Sequence, residues 1–292
     1  MKEKLPRIFK IITMLAVFAM IFPSIIVYAE NDAPKEVAEL EKEYVIVLDA
    51  GHDLEHVGAH GNGLKEEEIN LIITEYCKAE LEKYDNITVY VTHEDAACPY
   101  PGTIASECNE SRCEYAASVN ADLFISLHVN SHTDKNRSGY EVIYPNANYL
   151  PEFNVTGEIL ANCIVEELRS TGLGFREIWT RDSTENKKDD ENFYPDGTRA
   201  DYYNFIRNSK YRNILGVIIE HAYISNKNDV KYYLSSEEKL KEFGEADARG
   251  IINYLLYLEN AEKYAEMEAF VQVKMAGVKD FLAILEEYLR KK

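Results

Sequence analysis

Short apolar runs alternate with longer amphipathic stretches through the middle of this chain. Consecutive apolar positions predict buried strands at 44–49, 122–128 and 215–220, and shorter strands are predicted at 87–91, 139–144 and 202–207. Apolar residues at helical spacing predict helices at about 67–84, 103–119, 153–171 and 236–258. Strands that alternate with helices of this length indicate βαβ units. We therefore expect an α/β fold: a single domain with a twisted, mainly parallel sheet flanked by helices.

The N-terminus has the pattern of a targeting segment. Basic residues precede an apolar stretch at 11–28, and Val27-Tyr28-Ala29 offers small residues where a signal peptidase cleaves. This pattern predicts a signal peptide over 1–29, although the apolar stretch approaches the length of an uncleaved membrane anchor. Residues 30–43 are polar and predict a linker to the domain at 44–258. We expect a secreted protein with no stable membrane span after cleavage.

The C-terminal segment 259–292 has apolar residues at alternating spacings of four and three. This spacing predicts an amphipathic helix. We expect the helix to pack on the domain or on a second copy of the chain, with a regulatory lid or a docking helix as the alternative. The pattern leaves the oligomeric state open.

Charge and cysteine content limit the partners and the chemistry. The formal net charge of −19 disfavours nucleic acid or an anionic membrane as the main partner. Of the five cysteines, Cys98, Cys108 and Cys113 are close enough in sequence to supply a disulfide, which an oxidising compartment allows. None has the CxxC spacing of a metal site. We expect buried, mainly structural cysteines with at most a single bridge.

Four potential ligands or acid–base groups share one edge of the predicted sheet. His52 follows the first strand, His128 ends the third, Glu220 ends the last, and Glu66 begins the helix after the first strand. Two imidazoles and one carboxylate with an open fourth position form the ligand set of a catalytic zinc, and a further carboxylate supplies a general base. Taken singly, each histidine is also consistent with a structural role, and acidic first turns are common in helices.

The motifs around these residues carry a family resemblance. They are Val-Leu-Asp-Ala-Gly-His52, Gly-Asn-Gly-Leu-Lys-Glu66, the run from Asn120 to Asn130, and Ile-Ile-Glu220-His-Ala-Tyr-Ile-Ser-Asn226. In order and spacing the chain resembles the zinc-dependent N-acetylmuramoyl-L-alanine amidases of bacterial cell-wall lysis, known as amidase type 3, over about residues 44–257. It departs from the family pattern after His52, at Thr92-His93 and at His221.

The resemblance implies roles for the four residues. His52, Glu66 and His128 would bind a single zinc ion (Zn²⁺), and Glu220 would be the catalytic acid/base. The substrate would be peptidoglycan, cut between N-acetylmuramic acid and L-alanine, in the cell wall outside the cytoplasm. The alternatives are a zinc peptidase or deacylase that acts on another amide, and a non-catalytic wall-binding regulator.

Other polar residues have less specific roles. Asp49 is expected to orient a ligand histidine or to cap the following turn. Strand alternation places His221 on the face opposite Glu220, where we expect a structural role. His56 and His60 are expected to be exposed loop residues. The aromatic segment 193–207 is expected to form either a substrate-binding wall or a surface hairpin.

Overall fold

The computed structural model describes residues 40–184 and 192–290. The predicted signal peptide and residues 30–39 of the predicted linker lie outside them. Within the described residues the strands are β1 (Tyr44–Ala50), β2 (His60–Gly61), β3 (Leu64–Lys65), β4 (Ile87–Val91), β5 (Leu123–Asn130), β6 (Tyr140–Ile143), β7 (Phe175–Trp179) and β8 (Leu215–Tyr223). The main helices are α1 (Glu66–Leu81), α2 (Ala105–Ser118), α3 (Glu152–Leu168), α4 (Asn204–Tyr211) and α5 (Glu237–Arg290).

The central sheet has the strand order β4-β1-β5-β8-β6-β7. Strands β4, β1, β5 and β8 are parallel to one another. Strand β6 is antiparallel to β8, and β7 is parallel to β6. The expected α/β fold with a mainly parallel sheet is therefore confirmed. The edge strand β7 was not predicted because its charged and half-exposed residues lack an apolar run. The two-residue strands β2 and β3, which form a separate hairpin, are too short for a pattern to indicate.

Helices cover both faces of the sheet, which explains why its central strands are apolar at consecutive positions. Val47, Phe124 and Ile218 belong to the cluster of buried residues shared with α2 and α4. Their strand neighbours Ile46 and Ile125 belong to the larger cluster shared with α1, α3 and α5. Because successive side chains alternate between faces, each central strand supplies both layers of the core.

The predicted strand at 202–207 is wrong, because residues Asn204–Tyr211 form helix α4. The aromatic residues of this segment suggested a strand. The apolar side chains of Phe205 and Ile206 instead lie on the buried face of a helix, together with Ser209 one turn later. Phe205 packs on Phe124 of β5, with 4.4 Å between ring centroids. Burial of this helical face decides the conformation over local strand propensity.

The C-terminal helix predicted for the tail is present, and it continues the preceding predicted helix without a break, as α5. The end of the predicted linker packs against α5: Leu40 is buried, and the backbone N–H groups of Glu41 and Lys42 donate to Glu259 at 2.9–3.1 Å. Among the described residues, no helix has the length and apolar content needed to cross a membrane.

Candidate active site

The carboxyl ends of β1, β5 and β8 lie side by side and carry three of the four predicted residues. His128 of β5 and Glu220 of β8 are partners in the strand register. His52 follows the end of β1 in a left-handed backbone conformation, with φ of 70°. Such a conformation is uncommon for a residue with a side chain, and it turns the chain sharply at the sheet edge.

Glu66, the first residue of α1, completes the group. Its Oε1 atom lies 2.9 Å from Nδ1 of His128 and 3.4 Å from Nε2 of His52. Potential ligand atoms of these three residues all lie within 4.8 Å of one another. The structure thus brings together the three side chains that the sequence placed at this edge, as a compact set of two nitrogens and one oxygen.

Hydrogen bonds to the outer ring nitrogens orient both imidazoles. Nδ1 of His52 lies 3.1 Å from the carbonyl oxygen of His56, to which it donates. Nε2 of His128 lies 3.1 Å from Oγ of Ser126, whose hydroxyl donates in turn to Asp49 at 2.6 Å. Since Ser126 uses its proton on Asp49, it accepts the Nε2–H of His128. The nitrogens that face Glu66 are therefore the ones that a cation would bind, in place of their contacts with the Glu66 carboxylate.

Asp49 acts on His128 through Ser126, with no direct hydrogen bond to His52 or His128. Its carboxylate is buried and also accepts from Arg112 at 2.8 Å and from Thr92 at 2.7 Å. Burial by itself would raise the pKa of Asp49, but the Arg112 guanidinium and the two hydroxyl donors lower it to about 2. The sequence did not indicate Ser126 or Arg112. The one available signal for Ser126 was its position two residues before His128, on the same face of the strand.

The electrostatics of Glu66 favour its ionised form. Burial would raise the pKa of Glu66, but hydrogen bonds with His128 and His52 hold it well below its ordinary value. Its second oxygen, Oε2, accepts the backbone N–H of Ala59 at 2.7 Å. The carboxylate is thereby fixed with Oε1 directed at the two imidazoles.

Two glycines leave room for this arrangement. A Cβ atom at Gly51 would lie 2.1 Å from Cε1 of His128. A Cβ atom at Gly58 would lie 2.6 Å from Oε2 of Glu66 and 2.8 Å from Cδ2 of His52. The side chains of His128, Glu66 and His52 therefore pass directly over glycine backbone, which no larger residue would allow without displacing them.

Glu220 borders a cleft of about 420 Å³ together with His52, Glu66, His128 and Tyr203. Its Oε2 atom is buried and has no hydrogen-bond partner. Burial raises the pKa of Glu220 well above its ordinary value, and the nearby negative charges of Glu66 and Glu141 raise it further. A carboxyl group without a fixed partner, with a raised pKa and facing a cleft is suited to accepting and returning protons.

The donor set fits a zinc ion. Two imidazole nitrogens and one ionised carboxylate converge on one point, and each imidazole uses its other nitrogen in a hydrogen bond. Three protein ligands with a further position open to a cleft are the usual composition of a catalytic zinc site.

Comparison with known proteins identifies the family. Residues 46–253 match the family model described as N-acetylmuramoyl-L-alanine amidase. The chain belongs to this amidase family. The matched segment includes His52, Glu66, His128 and Glu220 and covers nearly the whole described domain. The enzyme class expected from the sequence motifs is therefore confirmed.

Individual relatives agree with this assignment. The amidase is 30% identical to the uncharacterized protein YqiI of Bacillus subtilis over 225 residues, 75% of this chain and 88% of the relative. The solved structure of the CwlD amidase from Clostridioides difficile, in complex with the GerS lipoprotein, is similar with a TM-score of 0.56 and 25% identity. It aligns over 74% of this chain and all of CwlD. The amidase AmiC2 of Nostoc punctiforme aligns over 73% of this chain and 97% of its own, with a TM-score of 0.54 and 25% identity.

Three further histidines, His221, His60 and His56, differ in burial and in their contacts. His221 is buried on the opposite face of β8 from Glu220 and lies 2.8 Å from the carbonyl oxygen of His128 and 2.7 Å from Asp247. His60 is half-exposed, 3.0 Å from Glu67. The expectation of an exposed loop residue is wrong for His56, whose side chain is only 14% exposed. Its ring is held between Asp53 and the carbonyl oxygen of Thr103.

The aromatic segment at 193–207 divides into two parts. Phe193 and Arg199 form an antiparallel bridge, as in a hairpin, whereas Tyr203, Asn204 and Phe205 line the cleft. The segment therefore contains a hairpin-like bridge and part of the cleft lining, and a role of the cleft-lining residues in substrate binding stays a prediction.

The five cysteines all lie in the described residues and are all free, so the single disulfide allowed for is absent. Cys113 lies apart, against Phe205 and Ser209, whereas the sulfur atoms of Cys98 and Cys108 are 3.8 Å from each other.

Proposed function

We propose that this amidase uses a zinc ion to hydrolyse the amide bond between the lactyl group of N-acetylmuramic acid and L-alanine in peptidoglycan. The observation that carries the proposal is the convergence of His52, Glu66 and His128 beside Glu220 in one cleft. Family membership supports action on peptidoglycan. The four residues are those expected from the sequence motifs. They come from the ends of three strands and the start of one helix.

His52, Glu66 and His128 would hold the metal. A bound zinc ion would act as a Lewis acid on the scissile carbonyl and lower the pKa of a water molecule in the site. Glu220 would take a proton from the attacking water and return it to the departing amino group of L-alanine. The positive charge of the cation would oppose the repulsion from Glu66 and so favour the ionised form of Glu220 that this step needs.

We also propose the domain assignment that the sequence pattern predicts. We propose residues 44–258 as the catalytic domain, 1–29 as a signal peptide, 30–43 as a linker and 259–292 as a C-terminal helical tail. The enzyme would then be secreted and act in the cell wall, outside the cytoplasm.

Product analysis on purified peptidoglycan tests the proposed bond. We expect new amino termini of L-alanine to appear, with no new reducing ends in the glycan, and we expect removal of zinc by a chelator to stop their release. New amino termini within the stem peptide would instead indicate a zinc peptidase. Release of acetate would indicate a deacylase. No product from the zinc-loaded wild type would contradict catalysis and favour a binding role.

A further inference from the structure

A second group of potential metal ligands lies beside the proposed catalytic residues. It consists of Asp53, His56, Cys98 and Cys108, whose potential ligand atoms all lie within 4.8 Å of one another. Asp53, Cys98 and Cys108 are buried, and His56 is nearly so. The residues come from the loop after β1, the loop after β4 and the end of the first turn of α2, so their proximity is a result of the tertiary fold.

Four of the six distances between the potential ligand atoms lie within about 0.3 Å of those in a tetrahedral zinc site. Sγ of Cys98 lies 3.8 Å from Sγ of Cys108 and 3.7 Å from Nδ1 of His56. Oδ2 of Asp53 lies 3.6 Å from Sγ of Cys108 and 3.1 Å from Nδ1 of His56. Bonds of about 2.3 Å to sulfur and about 2.1 Å to nitrogen or oxygen place tetrahedral ligands about 3.8 Å apart for two sulfurs, about 3.6 Å for sulfur with nitrogen or oxygen, and about 3.4 Å for nitrogen with oxygen.

Hydrogen bonds to neighbouring residues orient His56 and Asp53 in the way that metal ligands are usually oriented. Nε2 of His56 donates to the carbonyl oxygen of Thr103 at 2.8 Å, which leaves Nδ1 as the inward-facing nitrogen. Oδ1 of Asp53 accepts the backbone N–H groups of Glu55 and His56 at 2.8 and 2.7 Å. Arg112 donates to Oδ2 of Asp53 at 2.6 Å, so that one lone pair of this oxygen remains for a cation.

We propose that Asp53, His56, Cys98 and Cys108 form a second zinc site, structural in role and separate from the catalytic residues. Two thiolates, one imidazole and one carboxylate close the coordination shell without an open position, as in structural sites. Binding would replace the two thiol protons, which leave to solvent, by one divalent cation and two zinc–sulfur bonds. The net charge of this buried group would therefore not change.

A bound ion here would stabilise the loop that follows His52. The backbone carbonyl of His56 accepts the hydrogen bond that orients the His52 ring. Asp53 and Asp49 are joined through Arg112, which donates to both. Asp53, His56 and Cys108 line the same cleft as the proposed catalytic residues, which gives a metal ion a path of entry.

Metal content and cobalt spectroscopy of the purified full chain test the second site without relying on activity. We expect about two zinc ions per chain in the fully reduced wild type, and about one in the double variant Cys98→Ser/Cys108→Ser. Cys163→Ser, which removes a half-buried cysteine of α3 outside the group, is the matched control and should retain both.

Substitution with Co²⁺ separates the two sites in the wild type itself. Only the second site contains sulfur, so a thiolate-to-cobalt charge-transfer band should appear in the near ultraviolet. His128→Ala should lose one equivalent of metal and keep this band. A reduced wild type that binds a single equivalent and shows no thiolate band would overturn the second site. A Cys98–Cys108 disulfide in the isolated protein, with single-equivalent binding after reduction, would equally overturn it. Neither result bears on the bond cleaved, which the product analysis tests independently.

Discussion

Asp49 reaches the imidazole of His128 only through the hydroxyl of Ser126. Ser126 donates to Asp49 at 2.6 Å and lies 3.1 Å from Nε2 of His128, which fixes Nδ1 as the nitrogen that faces Glu66. A buried ion pair with Arg112 fixes the position of the Asp49 carboxylate. The orientation of the His128 ring, a proposed metal ligand, thus depends on Ser126, which is not itself a proposed ligand.

Ser126→Ala should weaken zinc binding at the catalytic site. The substitution removes the acceptor that fixes the His128 tautomer, and losses of this kind lower metal affinity by about 10–100-fold. Competition with a chelator measures the change. Ser118→Ala, at the exposed end of α2, removes a hydroxyl of the same kind far from the site and should leave the affinity unaltered. Equal affinity in wild type and Ser126→Ala would contradict the tautomer argument.

Gly51→Ala should displace His128. The added Cβ would lie 2.1–2.5 Å from atoms of the imidazole ring, so the ring must move out of the position that faces Glu66. We expect zinc affinity and hydrolysis to fall together, since both depend on this ring. Gly174→Ala is a suitable control because its Cβ would meet no atom within 4 Å. Normal zinc binding by Gly51→Ala would show that the ring does not need this close approach to the backbone.

Glu220→Gln should abolish most of the activity and leave the metal in place. The amide cannot accept the proton of the attacking water, and loss of a general base lowers kcat by about 10²–10⁴-fold. Zinc content should match the wild type, since Glu220 is not among the proposed ligands. Glu177→Gln, on the edge strand β7, controls for loss of an exposed glutamate. Hydrolysis by Glu220→Gln at the wild-type rate would exclude the proposed role.

The Asp49–Arg112 pair should make stability depend on pH in the acid range. The pKa of Asp49 is lowered to about 2, so its stabilising contribution is present above the ordinary pKa near 3.8 and is lost as the pH falls through about 2. A shift of this size corresponds to about 2 kcal/mol of unfolding free energy.

Urea unfolding of the metal-free protein at a series of pH values measures this contribution. The wild type should exceed Asp49→Asn by about 2 kcal/mol near neutral pH, and the difference should shrink between pH about 4 and about 2. The exposed Asp85→Asn is the control and should show no such change. A difference between wild type and Asp49→Asn that stays constant over this range would show that the charge of Asp49 is not the source of the stability.

The sequence by itself determined the α/β fold and the edge of the sheet at which the chemistry lies. Short runs of consecutive apolar residues are typical of strands covered on both faces, and residues that end parallel strands meet at one edge of the sheet. His52, His128 and Glu220 could therefore be placed together before any distance was known. Local patterns were insufficient where burial by distant residues decided the conformation, as in α4, whose Phe205 packs on β5.

Only the tertiary structure decided the contacts across elements. Asp49 contacts Ser126, which lies far from it in sequence and which in turn contacts His128. Asp53 and His56 likewise approach Cys98 and Cys108, which come from other segments of the chain. The burial of His56 results from this packing. The spacing of these cysteines gave no sign of a metal site, because ligands from separate loops and a helix have no fixed sequence interval. Their distances are set by the packing of α2 and two loops at the end of the sheet, and a one-dimensional pattern does not contain that information.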